Sequence, residues 1–65
     1  VFGKIRWIDE RKGYGFIISE SYKDIFFHYS QVLGGNFRSL KLGQEVEFDL
    51  YEVKKGYEAK SVRGL

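Results

Sequence analysis

The chain contains no cysteine, no proline and no methionine, and only one histidine and one tryptophan. Without cysteine, neither disulfides nor thiolate metal sites can supplement its core, and a reducing, cytoplasmic setting is the expectation. One imidazole, His28, is too little for a zinc site of ordinary composition, so no metal is expected. No apolar run approaches the roughly 18 residues that cross a bilayer, and no charged-then-apolar leader is present. A soluble chain with no membrane partner is therefore expected. Internal repeats, linkers and low-complexity tracts are missing too. At 65 residues, the chain reads as one domain, 1–65, near the lower limit of independent folding, and its core must be small. No Ser, His and Asp arrangement or carboxylate pair stands in a cleft-forming context. With so little room for a concave pocket, neither catalysis, a cofactor nor a small-molecule substrate is expected. The stretch "KGYG" at 12–15 lacks the residues of a phosphate-cradling loop.

What the chain has in excess is aromatic side chains: six Phe, five Tyr and one Trp. A small core cannot hide twelve large rings, so several must lie at the surface, where they mark a contact region. The formal charge is +2, and its distribution is uneven. Residues 1–44 carry seven Lys/Arg against four Asp/Glu, a net of +3, whereas residues 45–65 carry four against five, a net of −1. A polyanion should prefer the first part. The acids at 45, 47, 49, 52 and 58 mark a face that should repel a phosphate chain, and Lys41, Lys60 and Arg63 read as solvated charges.

Period-two patterns recur and no long stretch has helical spacing, which predicts five strands. They cover Phe2 to Asp9, "YGFIIS" (14–19), "DIFFHY" (24–29), "EVEFDL" (45–50) and about 57–63. In the fourth, Val46, Phe48 and Leu50 face inward. "KKG" at 54–56 reads as a hairpin turn with positive φ at Gly56. In the fifth strand, the odd spacing of the inward Ala59 and Val62 predicts a bulge. The connection from Ser30 to Gly43 is long, with a helical turn at "SQVL". Five short strands suggest a closed barrel, because closure removes unpaired edges; an SH3-like barrel fits this pattern equally well.

Alternation forces a choice of faces in the second and third strands. With Ile17, Ile25 and Phe27 inside, Gly15 is inside as well, and Tyr14, Phe16, Phe26 and His28 share the outer surface. The opposite choice buries the histidine and leaves three large apolar side chains in water. The first is preferred, and it predicts a bare row of rings suited to stacking unpaired bases. Gly15 then leaves the inner side of its strand without bulk, so that the strand can bend around a small barrel. Trp7 adds a ring, and Lys4, Arg6, Arg11 and Lys12 add positive charge. Phe27 and Phe48 are read as plain core.

The segments "GKIRWIDERKGYGFI", "DIFFHYS" and "GQEVEF" together resemble the bacterial cold-shock domain, over nearly the whole chain. The paired motifs "KGYGFI" and "IFFHY" carry the likeness by their order and spacing. The resemblance implies an all-β, five-stranded antiparallel Greek-key barrel of the OB-fold type that binds single-stranded RNA and DNA. It also implies an RNA chaperone with roles in transcription antitermination or cold adaptation. The family's stacking positions fall on Trp7, Tyr14, Phe16, Phe26, His28, Tyr29 and Phe37, its basic positions on Lys4, Arg6 and Lys12, and its base-contacting acid on Asp24. Lys55, beside the turn, is a further expected contact. A bulge near Trp7 is implied, because strict alternation would turn the indole inward with Ile5. The chain departs from the family at Ile8, where Phe is usual, at Tyr14 and Tyr29 in place of Phe, and at Tyr57 in place of Pro. A monomer is expected, with the 30–43 connection a hinge over which two chains can swap strands. The competing reading is an SH3-like module for proline-rich peptides, which the basic ring face opposes.

Overall fold

The computed structural model describes residues 1–34 and 39–65. Strands β1 (Phe2–Asp9), β2 (Tyr14–Ile18), β3 (Ile25–His28), β4 (Glu45–Val53) and β5 (Gly56–Gly64) form a closed barrel in the order β1-β2-β3-β5-β4. A 3₁₀ turn over Tyr29–Gln31 follows β3. Among the described residues no helix is long and apolar enough to cross a membrane.

Four of the five seams are antiparallel, including the β1–β4 seam that pairs Phe2 with Glu47. At the fifth, where the barrel closes, β3 and β5 run parallel, with Phe26 opposite Glu58. No hairpin joins those two strands. The chain reaches β5 through the long connection and β4, and this route returns it beside β3 in the same direction.

Two bulges let so few strands close. In β1 the register against β2 shifts between Ile5 and Trp7, and in β5 it shifts where Glu47 and Asp49 face Arg63 and Lys60. Ser61, inside the second shift, has φ +54, so Ala59 and Val62 both point inward despite their spacing. Strand β4 runs to Val53, three residues beyond the sequence expectation, and pairs Val53 with Gly56 across the two-residue turn Lys54–Lys55. Gly56 thus opens β5, with φ +142, and does not sit at the turn's centre.

The core is Ile5, Ile17, Ile25, Phe27, Val32, Leu40, Val46, Phe48, Ala59 and Val62, with Leu50 partly buried against it. The outward placement of the opposite set of side chains follows from this sealing, because successive residues of a strand alternate faces. Gly15 has a more specific duty than easing a bend. A Cβ there would lie 2.5 Å from the Trp7 carbonyl oxygen and 2.9 Å from Cε1 of Phe27. The Phe27 ring occupies the space that a side chain at residue 15 would need, directly across the strand pair. Gly15→Ala should therefore lower stability by about 1–3 kcal/mol through overpacking. Urea denaturation should show a lower midpoint with an unchanged slope; an unchanged midpoint would contradict the close approach.

Candidate nucleic-acid interface

Strand pairing places Tyr14 opposite His28 and Phe16 opposite Phe26. The β1 bulge brings Trp7 out of alternation and opposite Phe16. Four rings then form one cluster. The indole of Trp7 lies 5.4 Å from Tyr14 and 5.8 Å from Phe16 between ring centres, and Phe26 lies 5.5 Å from Tyr14 and 5.9 Å from Phe16. Their planes are tilted or edge-on, as the quadrupoles of aromatic rings prefer.

The expected bare row is corrected by this packing. Trp7 is 41% exposed and Tyr29 55%, whereas Tyr14, Phe16, Phe26 and His28 are half-buried. The rings shield one another, not the core, so their outer faces and edges form a continuous apolar surface.

Tyr29 reaches that surface by a route alternation does not foresee. Strand β3 ends at His28, and the 3₁₀ turn takes the next side chain away from the inner face. The Tyr29 amide donates to the Gly13 carbonyl at 2.8 Å, and its ring lies against His28 with centres 4.4 Å apart. A Cβ on Gly13 would lie 2.7 Å from the Tyr29 ring, and Gly13 has φ +75. Glycine is thus required there on two counts.

Charged groups flank the rings. The Asp9 carboxylate accepts the amides of Arg11 and Lys12, each at 3.0 Å, which fixes the β1–β2 turn and leaves the Lys12 side chain exposed. Arg6 donates to Asp24 at 2.6 Å. This joins β1 to the loop before β3, where Asp24 has φ +56. The pair stands beside a groove of about 600 Å³ that Trp7, Tyr14 and Phe16 complete. A second groove, of about 410 Å³, lies on the other side of Phe16 and Asp24 and is walled by Phe26, Lys55, Tyr57 and Glu58. Tyr57 meets Tyr22 edge-on with centres 4.8 Å apart, and both pack against the core.

Some expected residues are not gathered here. Lys4 lies in a separate depression with Phe2, Ile18 and Glu45. Phe37 lies outside the described residues. Lys60 stands over the Tyr51 ring at 4.9 Å and Arg63 pairs with Glu47, so neither faces the grooves. Glu58, assigned from the sequence to a repelling face, instead lines the second groove. Its parallel pairing with Phe26 places it there, and only barrel closure creates that pairing. No group of three or more metal-ligating side chains occurs among the described residues.

A model described as the "'Cold-shock' DNA-binding domain" matches residues 1–65. The chain belongs to this family. It is 46% identical over 61 residues to a cold shock-like protein of Thermotoga maritima, covering 94% of this chain and 92% of that one. It is 42% identical over 60 residues to cold shock protein CspB of Geobacillus stearothermophilus, covering 92% and 91%. Among solved structures, Drosophila Unr CSD456 superposes with a TM-score of 0.79 at 28% identity, over 98% of this chain and 26% of that one. The closed barrel in this strand order is the family's OB-type architecture.

The Arg6–Asp24 pair is exposed, 58% and 62% for the two side chains, and solvent screening limits what such a pair contributes. A double-mutant cycle with Arg6→Ala and Asp24→Ala, followed by urea denaturation, should give a coupling below about 1 kcal/mol. A larger coupling would make the pair a structural tie between β1 and the loop before β3.

Proposed function

We propose that residues 1–65 act as one cold-shock domain that binds single-stranded RNA and DNA across the outer face of β1, β2 and β3. The observation that carries the reading is the cluster of Trp7, Tyr14, Phe16 and Phe26, open to a groove on each side of Phe16. Each base stacked on an aromatic face is worth about 1–3 kcal/mol, and any base can be accepted because every base has a π-face. Lys12 and Lys55 flank the rings, with His28 and Tyr29 continuing the surface beyond Tyr14; Arg6 and Asp24 supply a donor and an acceptor at the shared wall. Lys4 and Phe37 extend the interface in the family likeness.

Holding several bases apart from their complements stabilises the open strand by mass action, so weak hairpins melt without nucleotide hydrolysis. This is the work of an RNA chaperone, and it accounts for antitermination and cold adaptation in one mechanism, since cold strengthens the hairpins to be melted. The protein works in this reading as a cytoplasmic monomer without catalytic activity. An SH3-like role is disfavoured by the family match and by the basic residues beside the rings.

Titration with oligothymidine, followed through the single tryptophan, tests the proposal. Trp7 fluorescence should be quenched, and Phe16→Ala or Phe26→Ala should weaken binding by about 1–3 kcal/mol each. Unchanged fluorescence together with no retardation of the oligonucleotide would reject the reading, and retention of a proline-rich peptide instead would favour the alternative. Affinity should also fall with salt, with a log–log slope of about −2 to −3 for three or four neutralised phosphates. A slope near zero would remove the phosphate contacts from the proposal.

A further inference from the structure

His28 ends β3 and caps the 3₁₀ turn that follows it. Its imidazole Nδ1 accepts the backbone N–H of Ser30 at 3.2 Å and lies 2.9 Å from the Ser30 hydroxyl. A backbone N–H can only donate, so this contact is satisfied only when Nδ1 carries no proton. In the neutral ring the proton then resides on Nε2, because the bond made by one nitrogen sets the state of the other. A proton on Nδ1 would instead point at the amide hydrogen. The hydroxyl of Ser30 rotates to suit its surroundings and can either donate to this nitrogen or accept from it, so the amide, not the hydroxyl, selects the tautomer. The neighbouring Tyr29 ring, 4.4 Å away between centres, limits the rotation of the imidazole.

We propose that Ser30 is a positioning residue that holds His28 as the Nε2–H tautomer, so that bound nucleic acid meets a hydrogen-bond donor on the ring edge remote from Ser30. The atom it takes is an acceptor on a base, either a carbonyl oxygen or an unprotonated ring nitrogen. Stacking alone is indifferent to base identity, whereas a donor at a fixed place selects for where the acceptor lies. His28 thereby adds a directional contact to a surface otherwise built on π-faces. The inference rests on the base-binding reading above.

Long-range ¹H–¹⁵N correlation spectra of the ¹⁵N-labelled protein at mildly alkaline pH report the tautomer directly. Free protein should show Nε2 protonated and Nδ1 bare; a dominant Nδ1–H form, or an even mixture, would overturn the proposal. Ser30→Ala keeps the amide and removes the hydroxyl, so Nε2–H should stay dominant; a shift to an even mixture would overturn the proposal, because the amide would then not hold the ring. Replacing the Ser30 amide by an ester in a chemically synthesised chain removes the donor and should shift the tautomers toward a mixture and weaken oligothymidine binding about fivefold, the loss expected for one hydrogen bond. An unchanged tautomer and affinity in the folded ester variant would overturn the positioning role. The spectrum of the free protein needs no nucleic acid, so failure there leaves the binding reading intact. Nε2–H protein that fails to bind oligothymidine would instead overturn the binding reading, and the role of Ser30 with it.

Discussion

Phe27 packs into the space that Gly15 leaves open, and the orientation of the whole ring surface depends on that contact. Register in a strand pair has a period of two, so a slip of one residue would carry every side chain of β2 to the other face. Such a slip would bring a larger residue opposite Phe27, with no space for its ring. The same close approach includes the Trp7 carbonyl, which ties the bulged part of β1 to the β2–β3 pair. A single missing side chain thus sets the position of three strands, and the rings on the far side follow from geometry.

Mutual packing of the rings changes what the surface can offer. Isolated, fully exposed aromatics would have to be ordered by the ligand, at a cost in side-chain entropy of about 0.5–1.5 kcal/mol each. Here Tyr14 and Phe16 are already held by Trp7 and Phe26. The half-burial that departs from a bare row therefore favours the proposed binding, because much of the ordering is completed when the barrel folds.

Legibility in the sequence divides along a physical line. Features governed by neighbours in the chain were readable: the strands from alternation, the inward isoleucines, and the β5 bulge from the odd spacing of Ala59 and Val62. The bulge at Trp7 came from family likeness, since alternation by itself would have buried the indole. Features created by closure were not readable. Glu58 joins the ring surface only because β5 docks parallel to β3, and Arg6 meets Asp24 only because β1 and the β2–β3 loop converge. Tyr29 escapes the inner face because β3 stops one residue short of it, and the cause is a turn whose cap is the preceding histidine. Lys4 lies outward as alternation requires, yet the length of β1 carries it beyond the rings.

The charges that closure brings together decide what kind of binder the surface makes. Asp24 and Glu58 stand in the grooves beside Arg6 and Lys55, so the basic bias of the first 44 residues is partly cancelled where the bases would lie. Exposed ion contacts contribute about 0–1 kcal/mol each, less than the roughly 1–3 kcal/mol of one stacked base. In the proposed reading, stacking supplies the discrimination for unpaired bases, and the phosphate contacts add affinity that falls with salt. Stacks form and break one base at a time, so a strand can be released stepwise and captured again. A highly basic barrel would grip any duplex by its phosphates; under the proposed function this one would favour bases that are already unpaired, which is the selectivity that opening weak secondary structure requires.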